Sequence, residues 1–259
     1  MLRFSKANAK TKELSNSSVK DWLNNKKKIY SLDLLSGWSC CGADKCLAKV
    51  HVIDGKKKLV DGPNQEYRCF SASQEVLFKH VYNQRKHNFD VLRQIKNAPL
   101  MAERIIADLP SDAGIVRLNV AGDLFSQNYF NALSIVAALR PRVLFYGYTK
   151  SLRFWANYLD EYGDLPENFV LTASKGSRYD ELIAKYKLRH CQVVYSQDEA
   201  DKLKLKVDWT DVAAADPKLR KINFALLIHG AQRAGSEAGK AWSKVKKAGG
   251  GYNKNKKHS

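Results

Sequence analysis

Of the chain's five cysteines, Cys40, Cys41 and Cys46 fall within seven positions of one another, and Cys69 follows a short distance on. Cysteines clustered like this can form a disulfide, ligate zinc, hold an iron–sulfur cluster, or simply be buried thiols. The expected compartment narrows the choice. The basic start leads into no apolar run of signal-peptide length, and no stretch approaches the roughly 18 apolar residues of a membrane span. A cytoplasmic protein without a membrane partner is expected. In a reducing cytosol, clustered cysteines read better as metal ligands or a catalytic group than as disulfides. Cys40 and Cys46, joined by Cys69 at a helix start, could give three thiolates to one cluster and leave a coordination position open. A structural zinc site completed by Cys41 or a histidine is the alternative, and unconnected buried thiols are the third reading. Cys191 starts a strand at the far end of the sheet and reads as plain core.

The elements that must position these residues come from the hydropathy pattern. Six apolar segments read as strands: "KIYSLDLLSG" just before the cysteines, then "GIVRLNVAG", "RVLFYGYT", "NFVLTASKG", "CQVVYSQ" and "INFALLIHG". They are rich in Val, Ile, Leu and Phe without clean alternation, the pattern of parallel strands covered on both faces. Helical stretches such as "FSQNYFNALSIVAALRP" and "SLRFWANYLDEYG" separate them. The expectation is an α/β fold of six parallel β/α units, with one long insertion, residues 37–113, after the first strand. The insertion holds the cysteine loop and a hairpin turning at Asp54–Gly55. It continues as one long amphipathic helix over "RCFSASQEVLFKHVYNQRKHNFDVLRQI", capped by Ser71 or Ser73 with Gln74 or Glu75 in support. The domain reading is a basic N-terminal segment (1–28), a single α/β domain (29–242) and a basic disordered tail (243–259).

In parallel α/β architectures ligands bind at the carboxyl ends of the strands. Here each apolar strand stops in small, hydroxylated or charged residues, and Gly122, Asp123, Thr149, Ser174, Ser196 and His229 are the expected lining of a cofactor and substrate pocket. Gly122, Gly176 and Gly230 would let backbone amides come close to a ligand. Asp123 has a second reading as the N-cap of the following helix. Cys40 and Cys46 occupy the loop after the first strand, on the same face. "GAQRAGSEAG" superficially resembles a phosphate loop, but lacks the Gly-Lys-Ser/Thr ending, which excludes a Walker-type NTPase.

Six segments, "YSLDLLSGWSCCGADKCLAKV", "DGPNQEYRCFSASQE", "RLNVAGDLFSQNYFNA", "LFYGYTKSLRFW", "NFVLTASKG" and "INFALLIHGAQRAG", together resemble the phage-encoded gene product 88 family. The resemblance runs in order from about Lys6 to Ala238. That family in turn looks like an outlying branch of the radical-SAM iron–sulfur enzymes. The resemblance implies a six-unit partial β/α barrel and a 4Fe–4S cluster on Cys40, Cys46 and Cys69, whose free iron holds S-adenosylmethionine. It also implies that Asp123 accepts from the methionine amine, and that the protein is encoded by a phage or prophage. Two departures stand out. Cys41 replaces the family's usual proline, so that Cys40 or Cys41 could be the ligand, and a hairpin separates Cys46 from Cys69.

The net charge of +18 is concentrated at the ends. Residues 1–28 carry eight Lys/Arg against two acids, and residues 243–259 carry Lys244, Lys246, Lys247, Lys254, Lys256 and Lys257 with no acid. These lysines are candidate contacts to the DNA or RNA phosphate backbone. The rival to an enzyme is therefore a non-catalytic, metal-stapled nucleic-acid-binding protein, and a metal-free interaction scaffold is a third class. Removing residues 243–259 should leave thermal stability nearly unchanged while weakening nucleic-acid binding and flattening its salt dependence by roughly one unit of slope per lost phosphate contact. Identical binding across a salt series with and without the tail would assign the tail to solubility.

Overall fold

The computed structural model describes residues 1–248. Strand β1 (Ser5–Lys6) and the one-turn helix α1 (Ala9–Lys12) lead through two 3-10 turns to β2 (Lys28–Leu32). The insertion follows, with β3 (Ala48–Ile53), β4 (Lys56–Asp61), α2 (Phe70–Leu77), α3 (Lys79–Gln94) and α4 (Ala98–Asp108). Strand and helix then alternate through β5 (Ala113–Leu118), α5 (Gln127–Leu139), β6 (Leu144–Thr149), α6 (Leu152–Tyr162), β7 (Phe169–Ser174), α7 (Glu181–Lys185) and β8 (His190–Val194). The chain closes with α8 (Gln197–Lys202), β9 (Lys206–Val207), α9 (Val212–Ala215), β10 (Phe224–Leu227) and α10 (Glu237–Lys247).

The fold is mixed α/β around a mostly parallel sheet ordered β1-β2-β5-β6-β7-β8-β10-β9. The six strands expected from sequence are its six central members, all parallel. Their spatial order is their chain order and all six carboxyl ends share one rim; the last connection alone passes through the edge strand β9 before returning to β10. Both faces are covered, which is why the strands read as continuous apolar runs. On one face Val116, Phe145, Phe169 and Leu171 pack under α4, α5 and α6 through Ile105, Phe130, Leu133 and Trp155. On the other, Ile29, Ile115, Tyr146, Val170, Cys191 and Phe224 pack with Leu14, Val19, Ala214 and Ala215. Leu14 and Val19 belong to the basic N-terminal segment, and β1 pairs antiparallel with β2, so residues 1–28 are built into the sheet and its core.

The insertion departs from expectation in its helices. The hairpin turns where predicted, with Asp54 at φ 51° and Gly55 at φ 71°, the double left-handed geometry of a tight two-residue turn. The expected long helix, however, breaks at Phe78, whose extended backbone divides α2 from α3. Neither Ser71 nor Ser73 caps it, because the N-cap position falls on Cys69. Ser71 instead donates to the Val120 carbonyl, and Glu75 is buried as an acceptor for Ser36. Helix α4 was not anticipated, although Asn97 caps it by accepting from the Leu100 amide and Pro99 sits in its first turn.

Two further expectations change. The tail read as disordered from residue 243 is helical through Lys247, so Lys244, Lys246 and Lys247 stand on α10, whose Ala238 and Ala241 are buried with Val245 packed against them. Lys254, Lys256 and Lys257 lie outside the described residues. Truncation at 243 therefore also removes Val245, and cutting after Ala248 is the cleaner test of those last lysines. Cys191 is not at the far end of the sheet. Strand β8 is staggered so that its first residues pair with the last of β7, and Cys191 lies directly beside Ser174. No helix among the described residues is long and apolar enough to cross a membrane.

Candidate functional site

A cavity of about 680 Å³ opens at the carboxyl ends of the parallel strands, a size suited to a small-molecule ligand. Cys40, Cys46, Cys69, Gly122, Asp123, Thr149, Ser174 and His229 all line it. Of the expected residues at the strand ends, Ser196 and Gly176 do not. Ser196 is exposed and caps α8, its hydroxyl accepting from the Glu199 amide at 3.1 Å.

The cysteine loop leaves β2 under tight control. Glu75 Oε1 accepts from the Ser36 amide at 3.0 Å and its hydroxyl at 2.8 Å, while Arg85 pairs with the same oxygen at 3.2 Å. Gly37 turns the chain at φ 73°, and its amide donates to Cys40 Sγ at 3.2 Å. The Gly42 carbonyl accepts from the Arg178 amide and the Ser177 hydroxyl. A side chain at Gly42 would meet the Lys150 carbonyl at 2.1 Å, so only glycine lets the loop lie against the end of β6. Cys41 turns away from the cavity, its thiol directed at the Leu124 carbonyl at 3.5 Å and close to the Ser151 hydroxyl. The position open to either cysteine is thus filled at the cavity wall by Cys40.

Cys69 arrives from a different element and is fixed by the loop after β10. Gln232 clamps the preceding residue from both sides, accepting from the Arg68 amide at 2.8 Å and donating to its carbonyl at 3.1 Å. Burial, then Asp123 and the other two thiols, push the Cys40 thiol well above its ordinary pKa. Burial likewise pushes Cys46 up to about 11, against the pull of Lys150. The Cys40 and Cys46 thiols are therefore neutral at physiological pH. Among the described residues no three His, Cys, Asp or Glu side chains are gathered as a single metal ion would require.

Asp123 is neither the cap of α5, which is Ser126, nor a loose acceptor. Its Oδ1 accepts from the Leu124 amide at 2.7 Å and the Thr149 hydroxyl at 2.6 Å, and its Oδ2 accepts from the Lys150 amide at 2.8 Å. Burial raises its pKa and these donors oppose the rise. The glycines expected to admit a ligand admit protein instead. A Cβ on Gly122 would strike Ser39 Oγ at 2.5 Å, and one on Gly230 would strike Phe70 at 2.5 Å. Lys150 donates to the Ser174 hydroxyl at 2.5 Å. Burial opposes its charge, but Cys46, Tyr67, Cys191 and Asp123 outweigh it and hold its pKa above the usual lysine value. His229 packs at a tilt against Phe70, ring centroids 5.0 Å apart, and is held neutral, its pKa lowered to about 4 chiefly by burial.

The reading of the strand ends missed the cationic side of the cavity. Lys10 and Arg117 both line it, and both pair with the fully buried Asp211, at 2.6 and 2.5 Å. Tyr146 and Tyr148 donate to the same carboxylate at 3.1 Å. Burial works against the charge on Asp211, but Arg117 and Lys10 hold it well below the carboxylate range. Arg117 was the available signal, as the one charged residue inside the apolar run "GIVRLNV". Lys10 carried none, being one lysine among many in a basic segment.

Asp123→Asn should cost about 1–3 kcal/mol, because an amide nitrogen must then face one of three buried donors. Chemical denaturation should show the loss. Unchanged stability would mean that the carboxylate does not join these strand ends.

No curated protein and no solved structure matches the chain. The gene product 88 family model matches residues 2–246, which takes in the cysteine loop, every strand of the sheet and nearly all of α10. The protein belongs to the gene product 88 family.

Proposed function

We propose that this phage-type protein carries a 4Fe–4S cluster on Cys40, Cys46 and Cys69 and uses it as a radical-SAM-like enzyme. The observation that carries the reading is that three thiols from two separate elements line one cavity at the shared rim of six parallel strands. The donor set fits. A cubane is ligated at a different iron by each cysteine, so its ligands stand further apart than the donors of one zinc ion. The Gly37 amide directed at Cys40 Sγ and the Lys150 ammonium next to Cys46 both favour sulfur ligands carrying negative charge. A partial-barrel interior is supported by Ile29, Ile115, Tyr146, Val170, Cys191 and Phe224, one inward residue from each of the six strands, sharing one apolar cluster.

When bound, the cluster would supply the one electron that cleaves the sulfonium of S-adenosylmethionine. The chain's own residues bind, orient and exclude water. Thr149 and Ser174 offer hydroxyls at the rim, Phe70 and His229 form an apolar wall, and Asp123 keeps the strand ends together and presents a carboxylate edge toward a ligand amine.

The test is anaerobic reconstitution of the full chain with iron and sulfide. A brown protein with about four irons per chain is expected, and Cys40→Ala, Cys46→Ala and Cys69→Ala should each lose it while Cys41→Ala and Cys191→Ala keep it. S-adenosylmethionine should bind the reconstituted protein. A colourless protein holding zinc would favour the nucleic-acid-binding alternative, with Lys244 and Lys247 exposed on α10 as its contacts. Iron without S-adenosylmethionine binding would leave a cluster of another use.

A further inference from the structure

We infer that the cationic side of the cavity is a subsite for the oxyanion, phosphate or carboxylate, of a small-molecule ligand. The inference deepens the reading of the cavity as an active site by naming the class of its second ligand, and rests on that reading only for the ligand's role as substrate. Lys10, Arg117 and Lys246 line this side; Asp211 pairs with Lys10 and Arg117, and Asp33 and Asp208 also act on Arg117.

Arg117 gives the second, independent observation. It is buried in the cavity wall, one guanidinium nitrogen holds Asp211, and its Nε has no hydrogen-bond partner among the described residues. A buried guanidinium donor left unpaired carries a desolvation cost that a bound oxygen removes. The guanidinium is also the side chain whose planar fork matches phosphate and carboxylate oxygens. Asp211 and the ring of Tyr148, 5.5 Å below the guanidinium, fix its orientation before anything binds. Trp242 lines the same cavity from α10 with Lys246 at 5.8 Å from its ring, so an aromatic wall stands beside the cations. The subsite thus fits a ligand with an oxyanion at one end and a flat or apolar body.

The test uses the metal-free full chain, so that it does not depend on a cluster. Inorganic phosphate and succinate are titrated calorimetrically at constant ionic strength, with chloride as the control; the two arms separate a phosphate from a carboxylate subsite. At least one should bind saturably. Lys10→Met, which leaves the Arg117–Asp211 pair intact, should weaken it about tenfold, the equivalent of one charge-assisted contact. Lys246→Gln, on the exposed side of α10, should weaken it by a smaller factor without affecting folding. Lys221→Gln, exposed and outside the cavity lining, should leave the affinity unchanged. Saturable binding that survives Lys10→Met and Lys246→Gln, or no saturation by either anion, would overturn the subsite. The cluster reading would fail separately, by absence of iron in reconstitution.

Discussion

The cysteine loop keeps its place because one buried carboxylate, that of Asp123, is shared among the ends of two strands. Its oxygens take the Thr149 hydroxyl and the Lys150 amide from the end of β6, and its own amide donates to Ser39 in the loop. Everything nearby depends on that junction. With Lys150 fixed, its carbonyl accepts from Ser177 and abuts Gly42, while its ammonium reaches Ser174 at the end of β7. One residue thus fixes, directly or through a single partner, the loop and the ends of β5, β6 and β7. Removing a carboxylate from water is costly, and three converging donors are what offset the cost. A residue with so many protein partners acts first by positioning, here of the loop that carries Cys40 and Cys46.

The cavity then divides by chemistry. Thiols come from outside the strands and hydroxyls from the last strand residues, Thr149 and Ser174, whereas Arg117 and Tyr148 stand one residue back from the ends of β5 and β6. The Lys10–Asp211–Arg117 network is not an economical way to stabilise a fold, since apolar residues of similar volume often serve a buried position equally well or better. Its two tyrosine donors and two cations satisfy Asp211 fully, yet Arg117 keeps an unpaired donor. Asp208 beside them likewise keeps one carboxylate oxygen unpaired, so the network is satisfied at Asp211 and incomplete around it.

The sheet was legible in the sequence because parallel strands covered on both faces cannot avoid being apolar throughout, and all six central strands announce themselves that way. The cysteine loop and the strand-end residues Asp123, Thr149, Ser174 and His229 followed from topology, since loops at one rim must face one another. What failed was local chemistry overridden by tertiary contacts. Phe78 interrupts a sequence with continuous helical periodicity, and Ser71 is drawn off the cap by the Val120 carbonyl. Ser196 ends its strand like the others but opens α8 at once, and its hydroxyl is used there. The glycines at 122 and 230 were rightly marked as close approaches, but the approaching groups are Ser39 and Phe70. Lys10 could not have been found, because only the fold shows that a basic N-terminal segment delivers one lysine to an interior carboxylate.

The hairpin between Cys46 and Cys69 looks in sequence like an obstacle to their meeting, and in three dimensions it is not. Strands β3 and β4 pair along their whole length, and the excursion is tied off at its base: the Leu47 carbonyl accepts from the Gly62 amide at 2.7 Å and the Lys45 carbonyl from the Glu66 amide at 2.8 Å. The chain therefore returns at Glu66 to the neighbourhood of Cys46, three residues before Cys69. The entropy of closing the intervening loop is met within the hairpin by its own ladder, leaving a short effective link between the two thiols. The Gln232 clamp on Arg68 then sets where the second of them enters the cavity. A self-closing insertion lengthens the sequence between two cysteines without lengthening the path that matters, so sequence spacing alone is a poor measure of whether cysteines can share a site.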